Sequence, residues 1–330
     1  MKVLVSLAAV CGLFLLGMLG ATATGMGWIF GVVLPYLALG VFFVGLVYRV
    51  ITWAKVPVPF RIPTTCGQQK SLPWLRSQGL ENPHNTLTVI GRMALEVLLF
   101  RSLARNTKGK LVDGHRLAYG TEPWLWIGAM AMHWSFLIIL IRHVRLMTDP
   151  VPYCVSFLGQ LDGFLEVGLP VVYVTTGVFL AALVYLLARR FLNDQVRYIS
   201  LANDYFPLFL LLGIGVSGFC LRHVAKTDIV GVKELAVGLT SLAPVVPEGI
   251  SWLFYGHLTL VCALLAYFPF SKLTHMAGVF LSPTRNLANT NRTARHVNPW
   301  DYPVKVHSYE DYEDELRDKM KAAGVPVEKE

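Results

Sequence analysis

The stretch MHWSFLIILIRH, Met132 to His143, decides the fold: it is apolar enough for a lipid bilayer, yet it carries imidazoles at His133 and His143. A polar side chain buried without a partner costs on the order of 2–7 kcal/mol. Each ring therefore needs a partner inside the fold. The rest of the chain sets the same scene. Of 330 residues, 54% are hydrophobic and 15% are charged, against about 25% charged in a soluble protein.

The apolar residues gather in six segments near the roughly 20 residues that cross a bilayer as a helix. They are Val3–Ala21, Gly27–Trp53, Pro123–Ile141, Val167–Ala188, Phe206–Leu221 and Ile250–Phe270. A helix satisfies its own backbone in lipid, so the fold expected is an all-α integral membrane bundle of six transmembrane helices. The fifth segment is short and is expected to extend at its ends. Lys2, the apolar run behind it and Ala21-Thr22-Ala23 also fit a secretory signal peptide. Residues 1–26 are thus an N-terminal transmembrane helix or signal anchor.

Lys and Arg set the orientation. Residues 54–120 carry Lys55, Arg61, Lys70, Arg76, Arg92, Arg101, Arg105, Lys108, Lys110 and Arg116, whereas residues 148–166 carry Asp149, Asp162 and Glu166 and no base. The positive-inside rule makes the first loop and the C-terminal tail cytoplasmic, and the short basic loop from Arg222 to Lys233 runs against it. The net charge of +8 is then explained by topology and anionic lipid headgroups, and dispersed loop cations exclude a nucleic-acid surface. Within the cytoplasmic insertion 54–120, Leu87–Arg105 is rich in helix formers, with Arg92 and Glu96 at i,i+4 spacing. It reads as a surface helix or one docked on another subunit, its charges spread over no single face. The tail 279–330 is polar, and its run YEDYEDELRDKMK is a solvated helix, a partner contact or a flexible end.

Cys11, Cys66, Cys154, Cys220 and Cys262 include no CxxC pair, so neither a zinc nor an iron–sulfur site is built from them. Cys66, in PTTCGQQKSLPWL, is the one cysteine in the cytoplasmic insertion and a candidate docking element for a partner.

His84, His115, His296 and His307 lie in polar sequence, and His223 follows Arg222 at a helix end. The candidates are His133 and His143 on the third helix and His257 and His275 on the sixth. Ten residues advance a helix about 15 Å; eighteen make five turns and advance about 27 Å on one face. Antiparallel helices would match His143 with His257 toward the outside and His133 with His275 toward the inside. Each pair suits the two axial positions of a flat macrocycle. Haem is apolar over most of its surface, and neutral imidazole is a good iron ligand. Without CxxCH it would be non-covalent haem b. Arg142, Arg145 and Lys272 lie close enough in sequence to meet propionates. The unequal spacings require the sixth helix to continue past Pro269 or to tilt. A different class stays open: a non-redox membrane anchor or transporter using the histidines for metal or a proton relay.

The His-x9-His helix, the His-x17-His helix and YFPFSKLTHM, Tyr267 to Met276, resemble the cytochrome b (gamma) subunit of respiratory nitrate reductase over roughly Gly27 to Gly278. The resemblance implies a five-helix core over residues 27–278, with two haems b held by His133, His143, His257 and His275. It also implies quinol oxidation near the outer haem. The extra N-terminal helix, the insertion with RIPTTCGQQKSLPWL and the acidic tail resemble more closely the DsrM-type subunit of the sulfite-reduction-associated DsrMKJOP complex. That likeness implies exchange of electrons between menaquinone and a cytoplasmic iron–sulfur subunit related to heterodisulfide reductase. It further implies other membrane and periplasmic redox subunits and a place in the prokaryotic cytoplasmic (inner) membrane.

Overall fold

The computed structural model describes residues 1–23, 25–56, 67–105, 108–163, 171–290, 292, 303 and 306–329. Six helices are long and apolar enough to span a bilayer: Lys2–Thr22, Ile29–Ala54, Pro123–Met147, Val174–Leu192, Ala202–His223 and Trp252–Phe270. The chain is a multi-pass membrane protein. In chain order its helices are α1 (Lys2–Ala23), α2 (Leu34–Ala54, entered through a π-helical turn Ile29–Val33), α3 (Thr86–Leu99) and α4 (Pro123–Met147). They continue with α5 (Tyr153–Asp162), α6 (Val174–Leu192), α7 (Asp194–Ile199) and α8 (Ala202–His223). The last four are α9 (Ile229–Thr240), α10 (Trp252–Tyr267), α11 (His275–Leu281) and α12 (Tyr309–Ala322).

Helix α10 is the hub. It packs on α1, α2 and α8; α8 also meets α1 and α6, and α6 carries α4. Small residues allow these approaches, as between membrane helices generally. A Cβ on Gly17 of α1 would overlap the side chain of Thr259 and the carbonyl of Tyr255 on α10, and one on Gly256 would run into Phe14. Lys2 Nζ donates to the Ser200 carbonyl at 3.0 Å and Ser6 Oγ to that of Ala202 at 3.2 Å. The N-terminal segment is thus built into the bundle as a sixth helix. Val10, Tyr205, Phe209, Leu210 and Leu260 form one core cluster along this seam. A second, Phe179, Leu183 and Leu211, joins α6 and α8 beneath α4.

The structure changes the expected fourth and sixth spans and meets the one for the fifth. The fourth span starts at Val174, not Val167: Tyr173 is extended and residues 164–170 lie outside the described ones. The fifth span gains a turn at its start and two residues at its end, as its short apolar run required. The sixth does not continue as one helix past Pro269. Proline has no N–H and clashes with the carbonyl four residues back, so α10 passes into 3-10 turns at Phe268–Phe270 and Lys272–Thr274 before α11 opens at His275.

Residues 67–120 carry α3 and a hairpin, β1 (Lys108–Val112) and β2 (Arg116–Gly120), paired antiparallel with Leu111 opposite Leu117. Asp113, Gly114 and His115 form the three-residue loop between the strands, and Asp113 and Gly114 both have positive φ, 54° and 75°. The Arg92–Glu96 pair forms, at 3.5 Å, but both residues are buried and share the inward face of α3. That corrects the expectation of charges spread around the helix. Arg92 also donates to the Glu81 carbonyl, and Glu96 accepts from Ser102 and pairs with Arg285. Asn289 Nδ2 donates to Asn82 Oδ1 at 3.0 Å, tying the segment after α11 to this insertion. The acidic run forms α12, capped by Ser308, with Glu313 accepting from the backbone of Glu328 and Lys329. Cys66 lies outside the described residues.

Candidate functional site

Helices α4 and α10 share no extended packing seam: α4 leans on α6, and α10 on α1, α2 and α8. Their histidines meet across the interval. The ring centroids of His133 and His275 are 5.9 Å apart. His257 lies within electrostatic reach of His143. Of the pairs expected from helical rise, the fold sets His133 against His275. The break at Pro269 is what reconciles the unequal spacings, because His275 rides on α11 and not on a straight continuation of α10.

Each ring is oriented in the same way. His133 Nδ1 donates to the carbonyl of Ala129 at 2.8 Å, and His143 Nδ1 to that of Ile139 at 2.7 Å, both one turn back on α4. His275 Nδ1 donates to the carbonyl of Lys272 at 2.8 Å. His257 Nδ1 meets Ser217 Oγ on α8 at 2.9 Å, and that hydroxyl donates onward to the Gly213 carbonyl at 2.7 Å. A carbonyl only accepts, so in neutral His133, His143 and His275 the proton sits on Nδ1 and the lone pair is left on Nε2, and Ser217 lets His257 adopt the same state. Among the described residues, the Nε2 atoms of His133, His143 and His275 have no hydrogen-bond partner. Four imidazoles with Nδ1 committed and Nε2 presenting a lone pair fit the donor set of two bis-histidine haems. Among the described residues no cluster of three or more His, Cys, Asp or Glu forms an all-protein metal cage.

Ser217 was not legible in the sequence as a site residue. The signal was a single hydroxyl in an apolar span, next to Gly218, where a Cβ would approach His257 Cε1 to 3.2 Å. Phe100 was also missed. It has a left-handed backbone, φ 47°, at the end of α3 and sets its ring edge-on to His133 at 4.9 Å.

The three basic residues expected near propionates each have a protein partner. Arg142 is buried and ion-pairs with Asp162 of α5 at 2.9 Å, its guanidinium 3.6 Å over the Tyr173 ring. Arg145 donates to the Tyr173 hydroxyl at 3.0 Å. Lys272 donates to Asp204 at 2.7 Å. Arg142, Arg145, Tyr173, Arg222 and Lys233 line a cavity of about 660 Å³ at the same end of α4 as His143, although neither His143 nor His257 lines it. Burial opposes ionisation of Tyr173, but the cations of Arg145, Arg222 and Arg142 outweigh it and hold the phenol below its ordinary range.

A family model described as nitrate reductase gamma subunit matches residues 117–295, which include all four histidines. An Archaeoglobus fulgidus protein described as an Hdr-like menaquinol oxidoreductase cytochrome b-like subunit is 44% identical over 283 residues, covering 84% of each chain. A protein of Archaeoglobus profundus with the same description is 42% identical over 281 residues, covering 81% of each.

Proposed function

The chain belongs to the nitrate reductase gamma subunit family, and from that premise we propose that it is a dihaem cytochrome b subunit. In this reading it exchanges electrons between menaquinol and a cytoplasmic iron–sulfur partner related to heterodisulfide reductase. The observation that carries the reading is the common orientation of four imidazoles, two from α4, one from α10 and one from α11, with Nδ1 held and Nε2 presented. His143 and His257 hold the outer group, His133 and His275 the inner one. Haem b held by these imidazoles would supply one-electron transfer.

The chain's own residues do the positioning. Carbonyls of Ala129, Ile139 and Lys272 and the Ser217 hydroxyl fix the tautomers and raise the basicity of the ligating nitrogens. Menaquinol is placed at the outer end, beside His143 and His257, and the 54–120 segment with the C-terminus faces the cytoplasm. The descriptions of the archaeal relatives, Hdr-like and menaquinol oxidoreductase, support the substrate and the class of partner. The insertion, the acidic tail and the sixth helix favour the DsrM type, with a role in sulfur metabolism and further redox subunits in the same complex.

The test is haem content. Full-length protein purified from membranes should show a dithionite-reducible b-type spectrum with about two haems per chain, as four axial imidazoles require. His133→Ala or His275→Ala should each remove one haem, and the double substitution no more than either alone; His143→Ala and His257→Ala should remove the other. A folded, colourless protein would end the reading in favour of an anchor or transporter.

A further inference from the structure

In water an amphipathic helix turns its charges outward. Helix α3 does the opposite. Arg92 and Glu96 are buried, while Leu87, Ile90, Ala94 and Leu98, at i, i+3, i+7 and i+11, form an exposed apolar stripe. Leu87 is 80% and Ile90 59% exposed. We propose that α3 is a membrane-inserted helix, its stripe lying against the acyl chains of the leaflet at the 67–120 end of the bundle.

Depth is set by α4. The indole of Trp126 donates to the Leu99 carbonyl at 2.6 Å and that of Trp134 to the Leu98 carbonyl at 3.2 Å. Trp126 lies three residues into α4 and Trp134 eleven, about 5 Å and about 16 Å along its axis. The C-terminal end of α3 is thus held between those levels, and Phe100 touches His133 there. An interfacial helix buries its apolar face about 5–10 Å into the headgroup and acyl boundary, and measured from the start of α4 this end lies at a comparable level.

The helix end is prepared for a medium without water. Terminal carbonyls have no partner within their own helix, and each left unsatisfied in hydrocarbon costs several kcal/mol. Here two take indole N–H groups, and Glu96 accepts from the Ser102 backbone at 3.0 Å in the following turn. The membrane-spanning α4 to which α3 is bonded also exposes apolar side chains, Trp124, Ile127 and Leu137. Attachment to a membrane-spanning helix that itself exposes apolar side chains selects lipid over a protein groove as the occupant.

The experiment places a nitroxide at Ile90→Cys, Leu98→Cys and, as a water-exposed reference, Lys319→Cys. The full chain, lacking its native cysteines, is used in phosphatidylethanolamine–phosphatidylglycerol vesicles. Collisions with oxygen should exceed those with a water-soluble nickel chelate severalfold at 90 and 98, with the order reversed at 319. Chelate-dominated collisions at 90 and 98 would place the stripe in water, and weak collisions with both reagents would place it under protein; either overturns the proposal. A benzophenone side chain at Ile90 of the otherwise native chain gives an independent reading: lipid adducts on irradiation support it, and adducts confined to protein overturn it.

Discussion

The Ser217 hydroxyl decides which nitrogen of His257 carries the lone pair. With its proton on the Gly213 carbonyl, it offers His257 Nδ1 an acceptor at 2.9 Å and leaves the lone pair on Nε2. The other three rings use carbonyls of their own local chain; His257 alone depends on another helix. Ser217→Ala therefore removes one orientation without removing a ligand. Outer partners of metal ligands are typically worth about 10–100-fold in affinity. The expected outcome is a weakened outer haem, read as lower occupancy at limiting haem and a shifted midpoint potential, with the inner haem unchanged. Ser217→Thr should restore both. If S217A leaves occupancy and potential as they were, the hydroxyl has no part in holding the ring.

At the scale of elements, α1 is held by shape. Gly17 and Gly256 let α1 and α10 approach until side chains at other positions interlock, whereas a Cβ on Gly12 of the same helix would meet nothing within 4 Å. Gly17→Leu should then destabilise the bundle by about 1–3 kcal/mol or more, as overpacking does, and Gly12→Leu should be nearly neutral. Thermal unfolding in detergent separates them; equal effects would mean that α1 does not pack on α10 as seen. Spans were legible because hydrophobic length is a local property, and so was the His pairing, because helical rise is fixed. What the sequence hid depends on several elements at once. The break after Tyr267 was signalled by Pro269, but only α11 shows where His275 goes. The Asp113-Gly114 turn was present as a hairpin signal between short strands that the apolar pattern of the spans overshadowed. Asp162 could not be assigned to Arg142 until α5 was known to fold back onto α4, and Arg92 and Glu96 could not be read as an inward face while α3 was taken for a helix in water.

For the whole molecule, the asymmetry of charge carries the orientation, and the loop from Arg222 to Lys233 is its apparent exception. The fold accounts for two of that loop's cations. Arg222 donates to the Val171 carbonyl at 3.1 Å and lies over Tyr173, and Lys233 pairs with Asp149 at 3.4 Å. They are bound into the end of the bundle around the cavity, while the sequence concentrates its bases between Lys55 and Arg116. Topology follows the bases flanking short loops, and Asp or Glu counts little. The 54–120 segment and α12 should therefore share the cytoplasmic side, with α5 outside. A membrane-impermeant maleimide gives the check. The exposed native Cys154 should react in intact cells, and Glu315→Cys on α12 only after permeabilisation. The opposite order would invert the molecule, moving the His143–His257 pair to the cytoplasmic face and the proposed docking side for the iron–sulfur partner to the outside.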